Sequence, residues 1–267
     1  MTLTDAEVAI AAALAGAEVV VRNYGADHVR FAKSATDFAT NTDLDAEAAI
    51  VRVLARHRPA DPCTGEETGG ADSEAARRRW LIDPLCGTLN FAATTPLVAV
   101  NVALLQDGIG RAAASTDPIA GEVFWTDGSA ACLRAYGRDR PLAPSAVSGL
   151  IEINCDGPLD RPFVGGQLVH DPHLRGAYGP RVISSTLGVA WVAAGRRAAY
   201  VSDGTFRENL HFAAGIAIAE AAGCAISDLA GNPLNAGRGF IVSADAATHQ
   251  AVLALVEPHL EAVIKAG

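Results

Sequence analysis

The sequence has little of three things that mark common classes of protein: paired cysteines, basic residues and long apolar runs. Its five cysteines are widely spaced and include no Cys-x-x-Cys pair, which argues against a disulfide framework and a structural zinc site and fits a reducing cytoplasm. Lys and Arg number 21 against 30 Asp and Glu, for a net charge of -9, so nucleic acid would gain no affinity from counterion release. No apolar run reaches the roughly 18 residues of a membrane span, and the N-terminus has no signal-peptide pattern. We therefore predict a cytoplasmic protein with no nucleic-acid or membrane partner.

What the sequence does have is apolar content and a pattern of mixed secondary structure. Half of its 267 residues are apolar, which is enough to bury a sizeable core. Thr4 and Glu7 form a capping-box pattern at the start of the first predicted helix. A Pro-, Ala- and Ser-rich segment at residues 141–148 predicts an internal boundary. The expected fold class is α/β, with an α+β half over residues 1–143 and an α/β half over residues 144–267, where strands and helices alternate.

The motifs that carry chemistry are four short islands in which carboxylates, glycines and hydroxyls interrupt the apolar patterns. The third island reads Asp-Pro-Leu-Cys-Gly-Thr at residues 83–88 and follows an apolar run of strand type. Each island alone is a weak signal, but all four in one order argue against a chance match. They are Lys33 with residues 37–43, Gly65-Glu66-Glu67, residues 80–91, and residues 211–215 continuing to 220–223 and 228–234.

In order and spacing, these islands resemble the inositol monophosphatase family, which also includes fructose-1,6-bisphosphatase-like, histidinol-phosphate and nucleotide 3′-phosphatases. The resemblance covers nearly the whole chain and is weakest from about residue 141 to residue 179. It implies a layered αβαβα fold and a homodimer. It also implies the hydrolysis of small phosphate monoesters with two or three Mg²⁺ ions.

The resemblance implies an oxygen-rich metal site in the first half of the chain. Glu66 and Asp83, with the carbonyl of Leu85, would hold the first metal. Thr88, paired with Asp43, would help that metal to activate water. Hard Mg²⁺ prefers carboxylate and carbonyl oxygens, and two such ions can hold the attacking and the leaving oxygen of a displacement.

The resemblance also implies an anion site beside the metal. The backbone amides of Gly87 and Thr88 would bind the phosphate, and Ser185 and Lys33 would add contacts to the anion. A Gly-Thr pair at the start of a helix supplies amide donors to an anion. An acidic chain can therefore still bind a small anionic substrate at this point.

Two positions depart from the family pattern. In the motif Asp-Pro-Ile/Leu-Asp-Gly-Thr the second aspartate is replaced by Cys86, and in the later motif Trp-Asp-x-Ala-Ala-Gly the aspartate is replaced by His211. In the family both aspartates bind the same second metal, so the resemblance places Cys86 and His211 within hydrogen-bond reach of each other. A thiol and an imidazole are poor ligands for Mg²⁺, which puts the second metal site in question.

Our preferred interpretation is a repurposed enzyme, a hydrolase or transferase that requires no cofactor. His211 would deprotonate the Cys86 thiol, Asp83 would orient the imidazole, and the phosphate cradle would become an oxyanion hole. The predicted helix start behind Cys86 and a nearby imidazolium would lower the thiol pKa below its ordinary value of roughly 8.5. The expected chemistry is covalent and acyl-transfer-like, on a small polar metabolite.

Two other interpretations stay open. The first is a metal-dependent sugar- or inositol-phosphate phosphomonoesterase. It would use one Mg²⁺ on Glu66 and Asp83, or Zn²⁺ on Asp83, Cys86 and His211, an O/S/N set that suits zinc better than magnesium. The second is a non-catalytic relic that binds a ligand. Drift would more often leave Asn, Ser, Gly or Ala than the scarce residues Cys and His, so we rank the relic last.

Overall fold

The computed structural model describes residues 2–33, 38–70, 76–158, 160–204, 209–234 and 236–266. Asp37 of the first island lies outside these residues. The chain divides into two compact units, each of which has most of its contacts between residues of the same unit. Unit 1 comprises Met1–Pro141, Ser185–Leu187 and Leu210–Ala221, and unit 2 comprises Leu142–Ser184, Gly188–Asn209 and Ala222–Gly267. These contacts group His211 with unit 1, whereas the sequence division at residue 143 assigned it to the second half.

Helices and strands are interspersed along the chain. The helices are α1 (Asp5–Asn23), α2 (Asn41–His57), α3 (Thr88–Ala92), α4 (Val164–His170), α5 (Pro172–Ala177), α6 (Leu187–Ala193), α7 (Leu210–Ala221) and α8 (Ala246–Ala266). The strands are β1 (Arg30–Ala32), β2 (Phe38–Thr40), β3 (Cys63–Gly65), β4 (Arg78–Cys86), β5 (Ala99–Gln106), β6 (Ile109–Asp117), β7 (Glu122–Thr126), β8 (Ala131–Ala135), β9 (Arg138–Pro141), β10 (Leu150–Ile153), β11 (Gly179–Arg181), β12 (Ala199–Ser202), β13 (Ala225–Ser227) and β14 (Phe240–Ser243).

Helix α1 begins where its capping box predicts. The Glu7 amide donates to Thr4 Oγ1, and the Thr4 amide donates to the Glu7 carboxylate. Reciprocal bonds of this kind satisfy amide groups that have no partner in the first turn of a helix. The prediction of a capped first helix is confirmed, and α2 begins at a second capping box.

The seven-stranded sheet of unit 1 positions the candidate site. Its strands lie in the order β3-β4-β5-β6-β7-β8-β9, and all neighbours are antiparallel except β3 and β4, which are parallel. On one face, Ile82, Val102 and Ala114 lie opposite one another and share an apolar core with α1 and α2. Side chains alternate between faces along a strand. The next row, which begins with Asp83, therefore faces the other side, where α7 packs against β5 and β6.

Unit 2 is built on a five-stranded mixed sheet in the order β11-β10-β12-β14-β13. Strand β10 is parallel to both of its neighbours, and β14 is antiparallel to both of its own. The core of this unit combines these strands with α4, α5 and α8. Glu152 is buried in the sheet, where its carboxylate accepts a hydrogen bond from Arg197 at 3.0 Å.

The predicted fold class is confirmed, because helices and mixed sheets alternate through the described chain as in an α/β protein. No helix in the described ranges is both long and apolar enough to cross a membrane.

Candidate metal-binding active site

Strand β4 brings Asp83 to the site and then leaves regular pairing. Its register with β5 shifts after Asp83, where Pro84 has no amide hydrogen to donate to the ladder. Gly87 follows with a φ of 89°, a left-handed conformation that glycine adopts without steric cost. Helix α3 then begins at Thr88, whose Oγ1 lies 3.1 Å from the carbonyl oxygen of Leu85. The strand therefore ends in a tight turn that carries most of the predicted site.

Glu66 and His211 reach Asp83 from different elements of unit 1. The Glu66 amide donates to the carbonyl of Ile82 at 3.1 Å, which fixes Glu66 immediately after β3 and beside β4. His211 stands in the first turn of α7, on the face of the sheet that Asp83 occupies. Its Nδ1 lies 3.0 Å from Asp83 Oδ2 and 4.0 Å from Glu66 Oε2.

These three side chains form a group that could bind a metal ion. Each of Glu66, Asp83 and His211 offers one ligand atom, and the three atoms lie within 4.8 Å of one another. Asp83 is fully buried, and its Oδ1 has no hydrogen-bond partner among the described residues. Leaving a buried polar atom unpaired costs about 1–3 kcal/mol, and more for a charged one. A cation at this point would remove that cost.

The electrostatics of the group also fit a missing positive charge. Burial, and then the nearby charge of Asp83, raises the pKa of Glu66 to about 8. Burial alone would lower the pKa of His211, but the charge of Asp83 and its hydrogen bond raise that pKa to about 9. Lys33 Nζ donates to Glu66 Oε1 and to Glu67 Oε1, each at 2.7 Å. Glu66 thus has a raised pKa and a bound ammonium group, as expected of a carboxylate placed close to another negative charge. A divalent ion shared by Glu66 and Asp83 would supply the positive charge that this pair needs.

The expectation that the enzyme requires no cofactor is wrong. His211 does not stand apart as a base for a thiol, because it joins two carboxylates in a group with metal-binding geometry. A set of two carboxylates and one imidazole fits Zn²⁺ or another first-row divalent ion, and two carboxylates with the Leu85 carbonyl fit Mg²⁺. Cys86 is not a member of this group, so the structure gives no support to the zinc set that included it.

The environment of Cys86 differs from that of a reactive thiolate. Its Sγ accepts a hydrogen bond from the Thr186 amide at 3.4 Å. Burial, followed by the charges of Asp83 and Glu66, raises the pKa of the Cys86 thiol well above its ordinary value. The prediction of a lowered pKa is therefore wrong, because the adjacent carboxylates and the loss of water outweigh the helix start and the amide donor. A neutral thiol is a weak nucleophile.

The other predicted site residues lie along the same turn or close to it in unit 1. Thr88 Oγ1 lies 2.9 Å from Asp43 Oδ1, and Asp43 Oδ2 accepts from the amide and the hydroxyl of Thr40 at the start of α2. Ser185 is buried, and its Oγ accepts from the Leu187 amide at 3.3 Å. The role of Thr88 and Asp43 in activating water stays a prediction. So do the anion contacts of Gly87, Thr88, Ser185 and Lys33.

The sequence did not reveal four polar residues that support the site. Each is buried, and each is hydrogen-bonded to Asp83, to the turn after Glu66 or to another of the four. For Glu47, Asn101 and Ser115 the available signal was their position, since a polar residue inside an apolar strand or on the inner face of a helix needs a partner. Thr186 lies in the turn before α6 and gives no such signal. The four residues are Glu47, Asn101, Ser115 and Thr186.

Glu47 holds the turn that carries Glu66. Its carboxylate accepts from the Glu67 amide at 2.8 Å and from the Thr68 amide at 3.0 Å, and also from the Thr68 hydroxyl. Gly65 leaves the space for this arrangement, because a Cβ atom there would overlap the Glu47 carboxylate. A buried carboxylate with three donors is therefore packed directly against the strand that precedes Glu66.

We expect Gly65→Ala to lower the free energy of unfolding by about 2–3 kcal/mol, because the added methyl group displaces a buried, fully bonded carboxylate. Urea unfolding followed by circular dichroism measures the change. Gly176→Ala is the matched control, since a Cβ there meets no atom within 4 Å, and its effect should stay within about 1 kcal/mol. Equal stability of the two variants would show that Glu47 moves aside at little cost.

Comparison with known proteins agrees with the resemblance that the motifs suggested. The model of the inositol monophosphatase family matches residues 3–261. An inositol-1-monophosphatase of Caulobacter vibrioides is 36% identical over 173 residues, which cover 61% of this chain and 66% of that protein. One of Mesorhizobium japonicum is 30% identical and covers 86% of each chain. The Nus factor SuhB of Escherichia coli is 31% identical and covers 97% of each.

Solved structures show the same fold. The extragenic suppressor protein SuhB of Bartonella henselae superposes with a TM-score of 0.80 at 28% identity, covering 93% of this chain and 96% of its own. An IMPase of Thermotoga maritima superposes with a TM-score of 0.79 at 22% identity, covering 93% and 94%; at that identity the likeness concerns the fold alone. Since the family model spans nearly the whole sequence and the curated relatives match over most of it, the chain belongs to the inositol monophosphatase family.

Proposed function

We propose that the protein is a metal-dependent phosphomonoesterase that acts on a small sugar or inositol phosphate, with Glu66, Asp83 and His211 as metal-binding side chains. The observation that carries the proposal is the group of three ligand atoms within 4.8 Å of one another, in which Asp83 also has a buried oxygen, Oδ1, without a partner among the described residues. When bound, a divalent ion there would polarise the phosphate and lower the pKa of a coordinated water. The substrate class is taken from the relatives that are named inositol-1-monophosphatase.

The chain's own residues would orient water and substrate around that ion. The Thr88 hydroxyl donates a hydrogen bond to Asp43 Oδ1, so the Thr88 oxygen keeps lone pairs that can accept a hydrogen bond from a water molecule. Burial raises the pKa of Asp43 above its ordinary value, against the hydrogen bonds from Thr40 and Thr88 that lower it. The pair can therefore hold a proton close to the Leu85 carbonyl and the turn after it.

Lys33 would bind the substrate anion and also screens the repulsion between two carboxylates. Its ammonium group bridges Glu66 and Glu67 at 2.7 Å each, and its side chain is 28% exposed. The two hydrogen bonds outweigh the cost of burial and raise the pKa of Lys33 above its ordinary value. The group thus stays positively charged, and a phosphate that approaches the metal meets a cation that is already in place.

The imidazole sets this site apart from an all-oxygen magnesium site. An imidazole ligand favours Zn²⁺ and, to a smaller degree, Mn²⁺ over Mg²⁺, because Mg²⁺ prefers oxygen ligands whereas the first-row transition ions also accept nitrogen. We therefore propose that Mn²⁺ or Zn²⁺ binds more tightly than Mg²⁺. Three other predictions stay untested: the homodimer, the cytoplasmic location and the absence of a nucleic-acid partner. Several relatives bear the name Nus factor.

The test is release of inorganic phosphate from inositol 1-phosphate by protein stripped with a chelator. We expect no release from the stripped protein, and recovery when Mn²⁺, Zn²⁺ or Mg²⁺ is added. Arg52→Ala on helix α2 serves as a purification control, because its side chain lies outside the group of metal-binding residues. Full activity in the presence of the chelator would contradict the proposal, and a metal-loaded protein without turnover on any sugar phosphate would point to a binding relic.

A further inference from the structure

A row of three polar side chains crosses the sheet of unit 1 beneath the metal-binding group. Asp83 on β4 lies opposite Asn101 on β5, and Asn101 lies opposite Ser115 on β6. Their exposed fractions are 0%, 1% and 0%. Residues directly opposite each other in an antiparallel pair point to the same face and touch. The row therefore places the Asn101 amide against the carboxylate of Asp83.

The hydrogen-bond partners of Asn101 allow only one orientation of its side-chain amide. Its Nδ2 donates to Asp83 Oδ2 at 3.3 Å and to Thr186 Oγ1 at 2.9 Å, and its Oδ1 accepts from Ser115 Oγ at 2.7 Å. An ionised carboxylate only accepts hydrogen bonds, so the nitrogen has to face Asp83. The oxygen then faces Ser115, whose hydroxyl has to donate. Every polar atom of the Asn101 side chain is used.

The two carboxylate oxygens of Asp83 differ in their hydrogen bonding. Oδ2 meets two groups, the Asn101 amide and the His211 imidazole at 3.0 Å. Oδ1 is buried and has no partner among the described residues. We propose that Asn101 is a positioning residue, which holds Asp83 in the rotamer that keeps Oδ1 available to the metal ion. This inference rests on the proposed function, because it needs a metal at the group of Glu66, Asp83 and His211.

Packing alone does not account for an asparagine at this position. A buried hydrogen-bonded row adds little net stability compared with apolar residues of the same shape, and the strand carries Ala103 and Val102 at the positions that follow. Groups that fix a metal ligand from behind matter more for the metal than for the fold, since their removal weakens binding about 10–100-fold. A positioning role and a structural role therefore predict different results.

The experiment measures Mn²⁺ binding to stripped protein by isothermal titration calorimetry. We expect Asn101→Leu to weaken binding about 10–100-fold, because Asp83 loses its fixed donor and can rotate. Ser115→Ala removes only the support of the Asn101 oxygen and should weaken binding about three-fold or more. Thr116→Val is the matched control for Ser115→Ala. Thr116 is the next residue on β6, equally buried, with a hydroxyl that has no partner in the described chain, so its removal should leave the affinity unchanged.

Two readouts separate this inference from a structural role and from failure of the proposed function. Val102→Ala creates a cavity on the other face of the same strand, and it should lower the thermal midpoint without changing Mn²⁺ affinity. If Asn101→Leu and Ser115→Ala bind Mn²⁺ like the wild type, or if Val102→Ala weakens binding as much as they do, the positioning role is overturned. If the wild type itself binds no Mn²⁺, both the proposed metal site and this inference fail.

Discussion

Asp83→Asn is expected to lower kcat/KM for phosphate release by about 10³-fold, a loss of about 4 kcal/mol in transition-state stabilisation. Asparagine has nearly the same shape as aspartate and can still accept from Asn101 and His211, so the fold should persist. What disappears is the negative charge at Oδ1, the buried oxygen that lacks a partner. The same variant should lose the rise in thermal midpoint that Mn²⁺ gives the wild type, because a ligand stabilises only the state that binds it.

Asp117→Asn is the matched control for this change. Asp117 is also a buried aspartate on the same sheet, at the end of β6, where its carboxylate accepts from the amides of Ile119 and Ala120. It is not a member of the metal-binding group. We expect Asp117→Asn to lower the thermal midpoint slightly and to keep both turnover and the Mn²⁺ effect. An Asp83→Asn protein that turns over substrate like the wild type would exclude Asp83 as a metal ligand.

The fold could be predicted well from the sequence because its signals are local. The capping box of Thr4 and Glu7 marks the start of α1. Such signals depend on neighbours in the chain. The grouping of α7 with unit 1 has no local signal, because it depends on which sheet its apolar surface meets in three dimensions.

The candidate site could be predicted only in part, for the same reason. The motifs identified Glu66, Asp83 and His211, but their chemistry depends on contacts that motif spacing does not show. For Cys86, the sequence suggested a helix start and a nearby imidazole, and both would lower a thiol pKa. The structure adds burial and two adjacent carboxylates, which raise that pKa. The support from Asn101 was hidden because its partners lie 18 residues before it and 85 residues after it.

The replacement of two family aspartates gives the last prediction, which concerns metal selectivity. Cys86→Asp combined with His211→Asp would replace sulfur and nitrogen with oxygen next to Glu66 and Asp83. Mg²⁺ is bound by oxygen ligands, and its affinity rises with the number of negatively charged ones. We expect the double variant to bind Mg²⁺ about 100-fold more tightly than the wild type, about tenfold for each carboxylate gained. Mn²⁺ and Zn²⁺ should lose their advantage, because the imidazole that favours them is gone.

The same change should make stability depend on the ion. Without metal, the two new carboxylates would join those of Asp83 and Glu66. Burial and the charge of Asp83 already raise the pKa of Glu66 to about 8. The imidazole that now shares a hydrogen bond with Asp83 would be absent, so repulsion should lower the thermal midpoint below that of the wild type. Added Mg²⁺ should restore the thermal midpoint.

Calorimetric titration of Mg²⁺ and thermal unfolding of the double variant measure the two effects. Cys86→Ser combined with His211→Asn serves as the control, because it changes the same positions without adding charge. A folded double variant that binds Mg²⁺ no better than this control would show that the turn after Asp83 no longer places these two positions around a shared ion.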